Sequence, residues 1–170
     1  MSRLVERYQR LLTYERDAGS AVLGALATVP PAERTGPEIS RALAIAAHAQ
    51  GAKLEWLWRL TSHASPACAK PERIFFDAVT LGEVEAMTAE ADTAWAGYGD
   101  ELTEAELARV AEFSSTAGRP YRATVADIIT HVVNHASYHR GQVAMLIRQA
   151  GGTPAVSDFI FYAYRDPDRG

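Results

Sequence analysis

The chain has 170 residues, of which 48% are hydrophobic and 22% charged, and its formal net charge is −4. This composition is typical of one globular domain spanning residues 1–170 and excludes a disordered chain, while the mild acidity disfavours a nucleic-acid-binding surface. Because the sequence has no run of about 18 apolar residues and no signal-peptide core, and because Cys68 is its only cysteine, we expect a cytoplasmic protein with neither a membrane span nor an internal disulfide.

Two long helices are predicted in the first part of the chain. Apolar residues recur at helical spacing from Leu4 to Val29, and the Pro30–Pro31 pair ends this segment. A second helix is expected from Pro37, a favourable first-turn residue, to about Ser62, through a stretch rich in Ala and Leu. Gly51 interrupts that stretch and predicts close packing against a neighbouring segment.

A third helix is expected from Thr80 to about Gly97, after a loop over residues 63–77. The stretch GYGDELTEAE then breaks the helical pattern. Residues Glu104 to Phe113 fit either a short helix or the first half of a hairpin, and Tyr121–Ala123 fits a short returning strand. We therefore expect a possible short hairpin before the last helix.

The fourth helix has the clearest boundaries. Thr124 is its expected N-cap, with Asp127 three residues later, and Gly151–Gly152 supplies a stop after Ala150. The tail that follows is rich in aromatic residues, and we expect it to pack back on the helices. Four long amphipathic segments predict an all-α fold, a four-helix bundle.

Three of the five histidines, His131, His135 and His139, follow one another at four-residue spacing in this helix. Residues four apart lie on the same face, one turn from each other, so an adjacent pair of imidazoles can bind one metal ion. All three cannot share an ion, because the Cα atoms of His131 and His139 are about 12 Å apart along the axis and each ligand must come within about 2.0–2.1 Å of it. One pair must therefore be completed by a ligand from another helix.

A helical wheel favours one of the two pairs. With Val132 as reference and about 100° per residue, the apolar stripe comprises Val125, Ile128, Ala136, Val143 and Leu146. His139 lies about 20° from the reference, His135 about 60° and His131 about 100°. His135 and His139 therefore point furthest inward, where a metal ion would satisfy their nitrogens. The alternative, in which each imidazole is a core residue hydrogen-bonded to the backbone, stays open.

The two remaining histidines are less informative. His48 lies in the second helix, three residues before Gly51, where a ligand would have room. His63 lies in the next loop and is expected to be exposed. Taken alone, neither residue identifies the third ligand.

The segment HVVNHASYHRGQVAMLIRQAGGTP resembles the hallmark fourth helix of the DinB/YfiT-like family. The matching residues are His131, Asn134–His135, the run Tyr138–Gln142 and Gly151. His48 ahead of LEWLWRL is similar to the family's second helix, and the tail SDFIFYAYR is similar to the family's usual ending. The resemblance covers most of the chain, and its specific part is the fourth-helix motif.

The resemblance implies an up-down-down-up four-helix bundle that binds a divalent metal ion through His48, His135 and His139. It further implies zinc or nickel as the ion, and often a homodimer. Relatives with known activity use a low-molecular-weight thiol, such as mycothiol or bacillithiol, in transfer or isomerisation reactions, whereas many others have no demonstrated activity. Three protein ligands leave coordination positions open, which is the arrangement of a catalytic metal site.

Two functions are consistent with such a site. The first is a metal-dependent enzyme, either a thiol S-transferase or isomerase whose metal-bound thiolate attacks an electrophile, or a hydrolase that uses metal-bound water. The second is a non-catalytic, stress-responsive metal-binding dimer. A third alternative, a metal-free bundle with a vestigial site, is disfavoured because all three ligands are present.

Three neighbours of the pair are candidates for supporting the ligands or the substrate. Arg140 could bind a carboxylate of the thiol or substrate, although a surface or interface position is the simpler interpretation. Gln142 could bind a ligand or orient an imidazole, or form only structural hydrogen bonds. His131 could contact a metal ligand and help to position it, or lie at the edge of the helix without a role.

Overall fold

A computed structural model describes residues 2–61, 67–114 and 118–163, most of which are helical. Four helices are long: α1 (Arg3–Ala27), α2 (Pro37–Thr61), α3 (Leu81–Asp100) and α5 (Val125–Gln149). The shorter elements are a 3₁₀ helix (Pro31–Glu33), α4 (Glu104–Ala108), the strands β1 (Val110–Ser114) and β2 (Pro120–Thr124), and α6 (Phe159–Ala163). The prediction of a mostly helical protein is confirmed.

The first two long helices lie close to their predicted positions. Ser2 caps α1 by accepting the backbone N–H of Leu4 at 3.2 Å, and α2 begins at Pro37 as predicted. Helix α1 ends at Ala27, two residues before the predicted Val29. The cause is Pro30, because a proline disfavours the α conformation in the residue before it.

Helix α3 extends three residues beyond its predicted end. It begins with a capping box, in which Thr80 and Glu83 each accept the other's backbone N–H. The predicted end at Gly97 is wrong, because the helix continues through Gly99 to Asp100. A Cβ at Gly99 would lie 3.1 Å from Leu12 Cδ1, a tight contact that shows how closely α3 packs against α1 at this point. Packing therefore outweighs the low helix propensity of glycine.

The segment between α3 and α5 contains both structures that the sequence left open. Helix α4 occupies its first part, and β1 then pairs with β2 in an antiparallel hairpin with Glu112 opposite Arg122. Leu107 of α4 and Ala111 of β1 are buried in the same apolar cluster as Ile129 of α5. The segment therefore covers part of the helical core.

Helix α5 begins and ends where the sequence predicts. Thr124 accepts the Asp127 N–H at 3.1 Å. At the other end, the N–H of Gly152 donates to the carbonyl of Ile147, and the N–H of Gly151 donates to that of Arg148. These bonds form a Schellman motif, and the φ of +78° at Gly151 requires the conformational freedom of glycine.

The long helices pack in pairs around an apolar core. Helix α5 packs against α1 and α2, and α3 packs against the same two helices. One buried cluster contains Ile39, Ala47 and Ile147, and another contains Leu57, Trp95 and Ile129. The middle turns of the helices, between these clusters, carry buried polar residues: Glu15, Gln50, Lys53, Thr88 and Arg140.

The tail packs on α1, as predicted. The ring of Tyr14 lies 5.1 Å from that of Phe159 and 5.6 Å from that of Tyr162, and its hydroxyl donates to the Ser157 carbonyl at 2.6 Å. Within the described ranges, every helix is too short or too polar to cross a membrane.

Candidate metal centre

His135 and His139 lie one turn apart near the middle of α5. Their Nε2 atoms are 3.1 Å apart, and their ring centroids are 4.4 Å apart. Both side chains are partly buried, because the neighbouring Val132, Ala136 and Val143 face the core and turn this side of the helix inward. The pair that the wheel favours is therefore the pair that converges.

His48 approaches this pair from α2, which packs against α5. Its ring centroid lies 5.3 Å from that of His135 and 4.8 Å from that of His139. One ligand atom from each of the three residues lies within 4.8 Å of the other two. The structure thus brings together the three histidines that the sequence and the family resemblance indicate.

A hydrogen bond to the loop before α3 fixes the ring of His48. Its Nδ1 lies 2.6 Å from the Ile74 carbonyl, and because a carbonyl only accepts, Nδ1 must carry the proton. The loop lies directly beside α2, since a Cβ at Gly51 would be in van der Waals contact with Ile74 Cα at 3.4 Å. The space beside Gly51 therefore holds the loop backbone, and Nε2 of His48 keeps the lone pair that a metal needs.

Gln142 fixes the ring of His139 in the same way. The Nδ1 atom of His139 donates to Oε1 of Gln142 at 2.8 Å, so its Nε2 also keeps a free lone pair. Hydrogen bonds of this kind, from the remote nitrogen of a metal-binding histidine, set its tautomer and orientation. Of the roles considered for Gln142, this geometry supports orientation of an imidazole.

The surroundings keep the α5 pair uncharged. Burial, followed by the neighbouring imidazoles of His139 and His48, together lowers the pKa of His135 to about 4. Burial also lowers the pKa of His139, partly opposed by its hydrogen bond to Gln142. Since the neutral imidazole is the metal-binding form, these rings are ready to act as ligands at neutral pH.

The nitrogens of His135 and His139 have a separation that suits a small divalent cation. Nitrogens 3.1 Å apart subtend an angle of about 98° at an ion about 2.05 Å from each, near the tetrahedral value of about 109°. With no ion bound, the same separation allows a hydrogen bond in which a protonated Nε2 of His135 donates to the Nε2 lone pair of His139. The donor set therefore suits a metal ion that prefers nitrogen ligands, such as zinc, nickel or copper.

Aromatic side chains surround the three histidines. Phe75 stacks on His48, with centroids 4.8 Å apart and planes at 12°, and Tyr138 meets His139 edge-on at 5.1 Å. His131 is exposed and lies between Trp56, at 5.1 Å, and His135, at 5.5 Å. His131 is thus a neighbour of the group rather than a member of it.

Arg140 has a different position from the one expected. It is only 7% exposed, and its guanidinium forms an ion pair with Glu15. Nη2 also donates to the hydroxyls of Tyr14, at 2.8 Å, and Ser137, at 2.7 Å. The surface interpretation is wrong because α1 places a carboxylate at a core position, and a buried carboxylate requires a cation. These contacts occupy both terminal nitrogens of Arg140, and its Nε is buried among the described residues without a partner.

The buried charges continue beyond Arg140. Lys53 Nζ lies 3.1 Å from Asp92 Oδ1 and 3.7 Å from Glu15 Oε1, beside a cavity of about 210 Å³ between α1 and α3. Burial raises the pKa of Glu15, and the positive charges of Lys53 and Arg140 oppose that effect. A polar layer therefore extends from the α5 histidines across the middle of the protein.

Several residues of the site were not predicted from the sequence. Ile74 and Phe75 lie in a loop without periodicity, so no pattern identifies them. Glu15 carries a usable signal, because Leu11, Glu15, Ala18 and Val22 share one face of α1 and a charge within an apolar stripe indicates a buried partner. His63, expected to be exposed, lies outside the described residues.

Comparison with known proteins adds a family. The family model described as the DinB family matches residues 1–169. The chain is similar to Protein DinB of Bacillus subtilis (strain 168), with 42% identity over 43 residues. That match spans 25% of this chain and 25% of the length of the relative. No solved structure matches the chain significantly.

Proposed function

The chain belongs to the DinB family, and we propose that it binds one divalent metal ion through His48, His135 and His139. One observation carries the proposal: one ligand atom of each imidazole lies within 4.8 Å of the other two. The hydrogen bonds of His48 and His139 to Ile74 and Gln142 support it, because both leave Nε2 available. Three neutral nitrogen ligands favour zinc or nickel among the common divalent ions.

The proposal includes the up-down-down-up connection of the long helices. Two contacts at different heights along each helix pair support its relative direction. For α1 with α5 they are Tyr8–Thr130 and Glu15–Arg140, and for α2 with α5 they are His48–His139 and Trp56–His131. For α1 with α3 they are Gln9–Gly99 and Gly19–Thr88. They favour α5 running parallel to α1, with α2 and α3 running the opposite way.

We propose further that the centre is catalytic and acts on a low-molecular-weight thiol, in a transfer or isomerisation reaction. Three ligands from the described part of the chain leave coordination positions for a small molecule. A divalent ion in such a centre lowers the pKa of a bound thiol or water, which makes it a nucleophile near neutral pH. The contribution of the chain is to hold His48 and His139 in one tautomer and orientation through Ile74 and Gln142.

Elemental analysis tests the metal assignment. Wild-type protein dialysed against zinc or nickel, and then against metal-free buffer, is expected to retain one ion per chain. His139→Ala should lose it, whereas His131→Ala, an exposed histidine two turns away on the same helix, should retain it. Equal metal content in the two variants would refute the assignment.

Absorption spectroscopy tests the use of a thiol. Adding low-molecular-weight thiols to the nickel-loaded protein should produce a thiolate-to-nickel charge-transfer band in the wild type and none in His139→Ala. A thiol that produces the band is then tested for turnover with an electrophilic acceptor. A metal-loaded protein that shows neither the band nor turnover would favour the non-catalytic alternative.

That alternative, a metal-binding homodimer without activity, has an observation of its own. Val156, Ile160 and Phe161 near the C-terminus are each at least 67% exposed, and neighbouring exposed apolar side chains are typical of interaction surfaces. Self-association through this segment is compatible with either function. Sedimentation analysis should give a dimer for the wild type and a monomer for Ile160→Asp; a monomeric wild type would exclude the homodimer.

A further inference from the structure

We propose that the metal centre recognises a planar apolar group, such as an aromatic ring, on the small molecule that binds the ion. Phe75 and Tyr138 would form the contact surface for that group. The inference rests on the proposed metal site and adds to it the chemical class of the ligand.

Phe75 presents a free aromatic face beside the site. One side of its ring stacks on His48, with the planes at 12° and centroids 4.8 Å apart, while the residue as a whole is 71% exposed. Its position is well defined, because the preceding Ile74 accepts a hydrogen bond from His48 and contacts α2 at Gly51. The loop therefore holds this exposed ring against one of the proposed metal ligands.

Tyr138 is a second exposed ring in contact with a metal ligand. Its centroid lies 5.1 Å from that of His139, and it is 65% exposed. Met145, seven residues later on the same face of α5, is 50% exposed. Exposed aromatic and methionine side chains together are typical of surfaces that bind apolar groups.

Neither ring is needed to orient the histidines. The Ile74 carbonyl already fixes His48, and Gln142 already fixes His139. The nearest arginine in the motif, Arg140, is paired with Glu15 in the interior and offers no charge to an anionic ligand. The exposure of these two rings against proposed metal ligands is therefore explained by contact with an apolar part of the molecule that binds the ion.

A pair of probes that differ by one phenyl ring tests the inference. Cobalt-loaded protein is titrated with imidazole and with 4-phenylimidazole, and the change in the visible cobalt absorption gives both affinities. Each aromatic contact contributes about threefold to tenfold in affinity, so the wild type is expected to prefer 4-phenylimidazole by about tenfold. Phe75→Ala and Tyr138→Ala should each reduce this preference by about threefold or more and leave the affinity for imidazole within about twofold.

Phe161→Ala is the matched control, because Phe161 is a similarly exposed phenylalanine on α6, and it should keep the full preference. A protein that binds cobalt and imidazole but shows no preference would overturn the inference and leave the metal site intact. Failure to bind cobalt would overturn the proposed metal site, and this inference with it. If Phe75→Ala weakens cobalt binding, Phe75 positions His48 instead of contacting the ligand. If Tyr138→Ala in addition keeps the full preference, neither ring contacts the ligand and the inference is wrong.

Discussion

Glu15 and Arg140 form an ion pair in the interior, with side-chain exposures of 4% and 7%. In Arg140→Met, the Glu15 carboxylate would keep Lys53 as its only nearby cation among the described residues, at 3.7 Å, which is too far for a good hydrogen bond. Removing one partner of a buried ion pair lowers the free energy of unfolding by about 3–5 kcal/mol. Because domains are stable by about 5–15 kcal/mol, this variant should lose a large part of its folding stability.

Two controls separate burial of the charge from loss of an arginine. Arg16 also pairs with a carboxylate, that of Asp17, but its side chain is 51% exposed, so Arg16→Met should change stability by less than about 0.5 kcal/mol. The double variant Glu15→Met with Arg140→Met removes both charges and should recover most of the loss.

The loss should also depend on pH in a defined direction. Burial already raises the pKa of Glu15, and Arg140 opposes this rise. Without Arg140 the folded-state pKa rises further above the unfolded value, so the folded state takes up the proton more readily as the pH falls. The destabilisation of Arg140→Met should therefore be larger at pH 7.5 than at pH 5.5.

Urea denaturation of the metal-free variants, followed by circular dichroism in the presence of a chelator, measures these differences. An Arg140→Met protein within about 1 kcal/mol of the wild type would refute the reasoning. A double variant as unstable as the single one would do the same, because the unpaired carboxylate would then not be the cause.

Three other outcomes are expected. Gln142→Leu should weaken metal binding by about 10-fold to 100-fold, measured against a chromophoric chelator, whereas Gln142→Glu, which keeps an acceptor oxygen, should not. The folded-state pKa of His135 is lowered to about 4, so the metal-free protein should lose stability as the pH falls from about 6.5 to 4. For this partly exposed ring the loss should be on the order of 1 kcal/mol. Denaturation experiments at pH 7 and 4.5 should show that His135→Ala removes that loss. Gly152→Ala should lower the free energy of unfolding by about 1–3 kcal/mol in thermal denaturation, because a Cβ there would lie 2.8 Å from Val29 Cγ2 and Ile147 Cγ2. Gly141→Ala, with open space around it, should not lower it.

The features predicted from the sequence are those encoded locally. The periodicity of apolar residues, the prolines and the Thr124 cap place the long helices within a few residues of their observed bounds. The wheel separates His135 and His139 from His131 because burial on a regular helix follows the 100° repeat. Local signals fail at Gly97 and Gly99, which predict a break, whereas α3 continues to Asp100 and packs closely against Leu12 of α1.

The features that were missed depend on contacts between distant segments. Nothing near His48 in the sequence indicates that the carbonyl of Ile74 accepts a hydrogen bond from it or that Phe75 stacks on its ring. The surface interpretation of Arg140 failed for the same reason, since its partner Glu15 lies 125 residues away. A charge within the apolar stripe of α1 was the available clue, and it indicates that a partner exists without identifying it.

The shared metal ion is tested most directly by locating it. Crystals of zinc-loaded protein, measured on both sides of the zinc absorption edge, give an anomalous difference map that shows zinc alone. We expect one peak at about 2.0–2.1 Å from a nitrogen of each of His48, His135 and His139. A peak bound elsewhere, or the absence of a peak at this site in fully loaded crystals, would contradict the account.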